Sequence, residues 1–253
     1  MSEQRARSFG SVAEEYEATR PGWPLAPFAL AFEQFGLPDR PDVADIAAGT
    51  GKLTRTLVQL AGTLVAVEPD AALRAVLQRE LPGVPVLDGT AESLPLDTAS
   101  IDAACAGQAF HWFDVDRALD EIARVLRPRG IAIAAWNSPP EDGTWYDAVI
   151  EFLETANPAH LPATTMDWPA ALAEHPRYEG LLEITARHEQ PTHRAAFRRL
   201  LGTHSAINML PPKRRHELID DALAVAGTHG AFAADGTGAI RWGCELFVLQ
   251  RRA

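Results

Sequence analysis

Asp45-Ile46-Ala47-Ala48-Gly49-Thr50-Gly51 is the segment of this 253-residue chain best suited to chemistry. It closes a short apolar run and turns on two glycines, which let the backbone adopt unusual dihedrals and approach a ligand closely. Three kinds of nucleotide site compete for it. A phosphate loop, prompted by Gly51-Lys52, needs a glycine where Ile46 stands and a hydroxyl where Leu53 stands, so it fails twice. A dinucleotide turn fits Gly49 and Gly51 but meets Thr54 at its third glycine, the one that lets helix and strand pack closely beside a pyrophosphate. A nucleoside site without a pyrophosphate asks less. The turn must pass near the ligand, and a carboxylate at the next strand end must accept both ribose hydroxyls. Glu68, 17 residues past Gly51, stands there. A tight surface turn beside an exposed acid is the plainer alternative.

The elements that position these residues follow from the pattern. Asp42–Ala47, Thr63–Val67, Val84–Leu87, Ile101–Ala106 and Ile131–Trp136 are apolar runs of strand length. Between them, Leu53, Leu57 and Leu60 share one helical face over Lys52–Ala61, with Gly62 as its C-cap. Leu73, Val76 and Leu77 point inward on a second helix, which Pro82-Gly83 ends. A third starts at Asp114 and stops before Pro128. Alternating strands and helices with short links predict a doubly wound α/β fold with a parallel sheet, whose ligand lies beyond the C-terminal strand ends. Further on, helices are expected over Trp145–Ala156, Arg194–Leu201 and Pro211–Ala226, and strands over Ile184–Glu189 and Ile240–Leu249. Asn157–Tyr178, rich in proline, reads as a loop-rich insertion.

With these motifs in order, the sequence resembles the class I S-adenosylmethionine-dependent methyltransferases, in the small-molecule group similar to trans-aconitate methyltransferase-like proteins. Asp45–Gly51 is similar to the first motif of that family, and Val65-Ala66-Val67-Glu68-Pro69 to the second. Asp88–Leu96, Ala109–Asp114 and Arg124–Gly130 resemble the adenine-side loop, the segment after the fourth strand and the turn into the fifth. Phe9, Tyr16 and Arg20-Pro21 resemble the N-terminal cover. Two residues depart: Ala47 replaces the first glycine of the family's turn, and Arg129 a glycine before Gly130.

The resemblance implies a Rossmann-like, mostly parallel seven-stranded sheet with an antiparallel last strand and an N-terminal helical lid. It implies one domain: residues 1–40 as cover, 41–137 as the cofactor-binding half, and 138–253 as substrate-side insertion and C-terminal strands. Ala47, Gly49, Thr50 and Gly51 would line the methionine and ribose portions of S-adenosylmethionine. Glu68, followed by Pro69, would hold the ribose; Thr90, Ala91 and Glu92 would flank the adenine; Gln108 and Ala109 would face the sulfonium. Tyr16 would belong to the lid, and Arg20 would pair with the cofactor carboxylate. Alternatively, Phe9, Tyr16 and Trp23 only pack a leading helix.

His111-Trp112 is the candidate substrate side. A histidine at a strand end can take a proton from a hydroxyl or amine nucleophile, or it can simply order its loop against Trp112. Trp168 is a candidate pocket residue on the same terms. The expected reaction is in-line transfer of a methyl group to an oxygen, carboxylate or hydroxyl, of a small molecule, leaving S-adenosylhomocysteine and using no metal. A protein that binds S-adenosylmethionine without catalysis, and an NAD-dependent oxidoreductase, are the competing readings.

Composition narrows the setting. At 47% hydrophobic and 23% charged residues, the chain can bury a core. A net charge of −11 argues against nucleic-acid partners. Cys105 and Cys244 are far apart without metal spacing. No leader and no membrane-length apolar run is visible, so a cytoplasmic monomer or homodimer is expected.

Overall fold

The computed structural model describes residues 13–138, 143–157, 172 and 174–253. They form two compact units. A helical unit comprises the described residues among 1–21, 138–163 and 187–243, and a sheet unit those among 22–137, 164–186 and 244–253.

The strands are β1 (Asp42–Ile46), β2 (Thr63–Val67), β3 (Val86–Leu87), β4 (Ile101–Gly107), β5 (Leu126–Ser138), β6 (Tyr178–His193) and β7 (Thr237–Arg251). They form one sheet in the order β3-β2-β1-β4-β5-β7-β6. The pairs β1–β2, β1–β4, β2–β3 and β4–β5 are parallel. The last strand runs against its neighbours. Gln250, late in β7, donates to the Arg129 carbonyl early in β5 at 3.0 Å. The Arg252 N–H donates to Arg177, just before β6, at 2.9 Å.

Side-chain alternation along the central strands divides the core of the sheet unit. Ala44, Ile46, Ala104, Ala106, Ala132 and Ala134 pack with Ala118, Leu119 and Ile122 of α5 (Val115–Val125). Val43, Cys105, Ile131, Ile133 and Ala135 pack on the other face with Phe28, Ala31 and Phe32 of α2 (Leu25–Gln34) and Leu57 of α3 (Thr54–Leu57). The many alanines let helices approach the sheet closely. α4 (Ala71–Glu80) buries Leu73, Val76 and Leu77, and its N-cap Asp70 accepts from the N–H groups of Ala72 and Leu73. In the helical unit, α6 (Trp145–Ala156), α7 (Arg194–Gly202), α8 (Ser205–Asn208) and α9 (Pro212–Thr228) enclose Tyr146, Phe197, Leu218, Leu223 and Trp242. There α1 (Ala13–Thr19) meets α7 through Glu15 and Arg199, 3.7 Å apart.

Several local expectations change. The helix expected over Lys52–Ala61 is regular only at Thr54–Leu57 and continues as turns. The β-branched residues Thr54, Thr56 and Val58 favour it weakly, and the Thr56 hydroxyl donates to the Trp23 carbonyl at 3.0 Å. Gly62 is no helix cap. A Cβ there would stand 2.5 Å from the Arg40 carbonyl oxygen, so this glycine permits two backbones to cross. Pro128 lies inside β5, whose first residue Leu126 already pairs with Ile101. The register then shifts so that Ala103 faces Ile131. Arg129 occupies that irregularity at φ 64°. Arg127 clamps the same edge, donating to Asp102 and to Asp42 at 2.8 Å each. Among the described residues no helix is long and apolar enough to cross a membrane.

Candidate active site

The sheet unit gathers the turn after β1 and the ends of β2 and β4. Ala48 N–H donates to the Val67 carbonyl at 3.1 Å, tying the turn to β2. Ala47, Gly49 and Gly51 then take φ values of 53°, 59° and 91°. Alternate left-handed residues at this density turn successive backbone N–H groups outward. One of them has a defined target: Gly49 N–H donates to Glu68 Oε2 at 2.9 Å. The other oxygen, Oε1, accepts from Asp70 N–H at 2.9 Å. Pro69 between them has no N–H to offer, so the carboxylate reaches one residue further.

Glu68 is only 4% exposed. Burial pushes its carboxyl above the usual range, against the opposing pull of the Asp70 and Gly49 N–H groups. Arg74 fixes the neighbouring backbone, donating to the Glu68 carbonyl at 2.8 Å while pairing with Asp88 at 3.1 Å. Each Glu68 oxygen accepts one N–H, and a carboxylate has about four lone-pair sites. Capacity for two more donors remains. A Cβ built on Gly49 meets no described atom within 4 Å, so the space over the turn is open. An open glycine turn beside a doubly held carboxylate fits a nucleoside whose ribose presents two hydroxyls.

Behind the turn lies a pair that sequence reasoning passed over. Asp45, 1% exposed, accepts from the Thr54 hydroxyl at 2.5 Å through Oδ2. Its Oδ1 is buried with no partner among the described residues, as is the Thr50 hydroxyl. Burial pushes Asp45 up to about 7; Thr54 opposes this and the nearby Glu68 charge adds to it. Cys105, directly opposite on β4, is raised by burial first and by Asp45 second. Thr54 is the residue that spoiled the dinucleotide pattern. Its hydroxyl is spoken for by Asp45.

Residues 44–134 match the family described as "Methyltransferase domain". The chain is 34% identical over 226 residues to an uncharacterised methyltransferase of Mycobacterium tuberculosis, covering 89% of this chain and 88% of the relative. An uncharacterised methyltransferase of Schizosaccharomyces pombe is 27% identical, with 84% of each chain covered. Among solved structures, a candidate type II methyltransferase from Anaeromyxobacter dehalogenans superposes with a TM-score of 0.71 at 26% identity, covering 92% of this chain and 97% of that one. The chain belongs to the class I S-adenosylmethionine-dependent methyltransferases.

The remaining candidates occupy different settings in this methyltransferase. Thr90 is exposed and bridges Ser93, whose N–H donates to its carbonyl at 3.1 Å. Ala91 is buried in the core. Glu92 accepts the Asp114 N–H at 3.0 Å, tying its loop to the start of α5. Arg124 holds the same loop by donating to the carbonyls of Leu94 and Leu96 at 3.1 and 3.0 Å. Gln108 sits just past β4 at φ 55°. Its N–H donates to Ala135 at 2.8 Å, and its side-chain amide donates to the Asn137 carbonyl. Ala109 is buried beside it.

His111 and Trp112 lie in a 3₁₀ turn, Phe110–Trp112. Phe110 anchors that turn in the core, 5.0 Å from Phe113 and 6.3 Å from Trp136 between ring centroids. With Phe110 held inside, His111 and Trp112 are left half-buried, their rings 4.8 Å apart. Tyr16 and Arg20 belong to the helical unit, where the Arg20 guanidinium lies 5.4 Å from the Tyr16 ring centroid. Phe9 and Trp168 lie outside the described residues.

Proposed function

We propose that this chain moves a methyl group from S-adenosylmethionine to an oxygen, carboxylate or hydroxyl, of a small organic molecule, in line and without a metal. The observation that carries the reading is Glu68: a buried carboxylate, held by Gly49 and Asp70 N–H groups, with lone pairs left for a ribose. The bound donor supplies a methyl group already activated by its positive sulfur, so no Lewis acid is needed to make the sulfur leave.

The chain's own task is alignment. Glu68 fixes the ribose end, and the left-handed turn Ala47–Gly51 lets the backbone follow the ligand without side-chain interference. The loop of Thr90, Ala91 and Glu92, stitched down by Asp114 and Arg124, backs the base. Gln108, immobilised by Ala135 and Asn137, sets the floor near the reacting carbon. As the acceptor oxygen's lone pair forms the new C–O bond, the C–S bond breaks and its electrons stay on sulfur. Such positioning is worth roughly 7–11 kcal/mol of barrier. A carboxylate acceptor arrives already ionised; a hydroxyl acceptor passes its proton to His111. The acidic chain, at −11, suits a small acceptor better than a nucleic acid.

The test is a melt of the protein alone and with S-adenosylmethionine, S-adenosylhomocysteine or NAD. A ligand at about 100 times its Kd adds about 2.7 kcal/mol, a rise on the order of 5–10 °C for a chain this size. A rise with both adenosyl ligands and none with NAD supports the reading; the reverse pattern rejects it. Mass spectrometry of the product then locates the methyl group, and a methyl on carbon or nitrogen removes the oxygen assignment.

A further inference from the structure

Trp23 stands at the C-terminal end of β4, inside the sheet unit that also carries the glycine turn. Gly107, the last residue of that strand, makes room for it. A Cβ there would stand 2.7 Å from Cζ2 and 3.2 Å from Cε2 of the indole, so the ring lies directly over this backbone. Leu53 closes on the same spot, its Cδ2 3.3 Å from that Cβ position. The indole and Leu53 thus meet over Gly107. Leu53 follows the glycine turn Ala47–Gly51 by two residues, and Gly107 immediately precedes Gln108.

The backbone at Trp23 is pinned twice. The Gly22 carbonyl accepts from the Asn137 side chain, late in β5, at 3.1 Å, and the Trp23 carbonyl accepts from the Thr56 hydroxyl of α3 at 3.0 Å. Asn137 is buried, and its own carbonyl accepts from the Gln108 side-chain amide. Pro24 follows Trp23, which biases Trp23 toward extended backbone. Phe28 meets the indole edge-on at 6.0 Å. A ring that served only the core would be sunk in it, as Phe28 is. Trp23 stays half-buried at the strand ends, where the ligands of such sheets lie.

We propose that Trp23 is a positioning residue of the donor site, a wedge that sets the distance between the glycine turn and Gln108. The inference rests on the methyltransferase reading above, which sets the donor between those two segments. The indole acts through its neighbours: Leu53 transmits its bulk to the turn, and Gly107 transmits it to Gln108 across one peptide bond. Gln108 holds a φ of 55°, a conformation that persists in an L-residue only where the surroundings over-determine it. The wedge on one side and Asn137 on the other supply that constraint. Binding geometry must be kept within about 0.5 Å, so a few displaced carbon atoms behind the site matter. The sequence suggested Trp23 only as packing for a leading helix or lid. It lies in the irregular stretch before α2.

The experiment uses the full chain as wild type, W23L, G107A and the double variant W23L/G107A. F32L, toward the far end of α2, serves as a core control. Each protein is melted without ligand, then titrated with S-adenosylhomocysteine by calorimetry well below every melting temperature. Leucine leaves a gap over Gly107, and a methyl group on residue 107 drives the indole away, so each single change should raise the Kd about tenfold. The two changes fit each other, because the added methyl group fills part of the gap. The double variant should return to within about threefold of wild type, a non-additivity expected only of groups in contact. F32L should lower the melt and leave the Kd unchanged.

A role in stability alone moves the melts and leaves the affinities flat; that result overturns the wedge. So does a double variant that binds no better than the weaker single variant, or an F32L that loses as much affinity as W23L. If G107A fails to fold, W23L against W23L/G107A decides: tighter binding by the double variant supports the wedge, and equal or weaker binding overturns it. Failure of S-adenosylhomocysteine to bind wild type rejects the methyltransferase reading and the wedge's donor role with it. Binding to wild type with flat affinities across the variants removes the wedge alone.

Discussion

Gly49 and Glu68 are joined across the ends of β1 and β2 by an N–H donated to Oε2 at 2.9 Å, and the same carboxylate takes Asp70 N–H on Oε1 at 2.9 Å. The glycine turn and the acid are therefore one device: the turn orients the carboxylate that the proposed function assigns to the ribose. Glu68→Gln breaks the device without emptying the space. An amide oxygen keeps one of the two N–H bonds, but its NH2 faces another donor, and the bonds to ribose lose their charge. We expect the Kd of S-adenosylhomocysteine to rise about 10- to 100-fold by titration calorimetry. The ligand-free melt should fall too, by about 1–3 kcal/mol of stability, because one of the two N–H groups loses its acceptor, so the affinities are compared well below both melting temperatures. An unchanged Kd would take Glu68 out of the site.

Asp45 should give the protein a measurable pH dependence. Its folded carboxyl sits at about 7 because of burial, against about 3.9 in an unfolded chain. The folded state thus binds the extra proton between these values. Its contribution is complete below about pH 4 and is lost as pH rises through about 7, with a slope of at most about 1.4 kcal/mol per unit. Glu68, also raised by burial, acts in the same direction. Asp42 and Glu121, lowered by Thr63 and Arg124 respectively, act oppositely and at lower pH. Urea unfolding between pH 5 and pH 8 should show wild type losing stability as pH rises and Asp45→Asn losing much less. Parallel curves for the two proteins would show that Asp45 stays ionised in the fold.

How much of this was legible beforehand depends on what each residue answers to. Strand ends and inward helix faces follow from local apolar periodicity, so Glu68 and the Asp45–Gly51 turn fell where expected. Trp145–Ala156 came out at its expected bounds, with Thr144 and Asp147 forming its capping box. The Asp45–Thr54 pair was missed, although one clue was present. Asp45 interrupts a run that the sheet buries on both faces, and a carboxylate there must find a donor. Thr54 was weighed only as an absent glycine. Gly62 was misread because a glycine after a leucine-bearing helix looks like a cap. Its real constraint, the Arg40 carbonyl, comes from a segment whose path no local pattern reveals. The length of β6 and the irregular start of β5 are likewise set by neighbouring strands.

Gly107 at the end of β4 should be intolerant of alanine for a purely steric reason. A Cβ there would lie 2.7 Å from Cζ2 of Trp23 and 3.3 Å from Leu53. Trp23 is itself confined, packing edge-on to Phe28 at 6.0 Å. Overpacking of this kind costs about 1–3 kcal/mol. Gly107→Ala should lower the urea midpoint and change tryptophan near-UV circular dichroism, and the loss should shrink when Trp23 is also replaced by leucine. Equal losses in the two backgrounds would mean that the indole is not what the new methyl group meets.

Ala47 allows the opposite kind of change. At φ 53° it holds a left-handed conformation that costs an L-residue about 1–2 kcal/mol and glycine almost nothing. Ala47→Gly relieves that strain, and the gain is reduced by the added freedom of glycine in the unfolded chain and by a small loss of packing against the core. The balance should be about 0.5–1 kcal/mol of added stability, or roughly 1–4 °C in Tm. The variant also removes a methyl group at a position that the proposed function sets beside the ligand. Titration of S-adenosylhomocysteine should therefore show affinity equal to or tighter than wild type. Weaker binding, with a higher Tm, would mean that the Ala47 methyl group contacts the cofactor and that the departure from glycine is part of how this chain holds it.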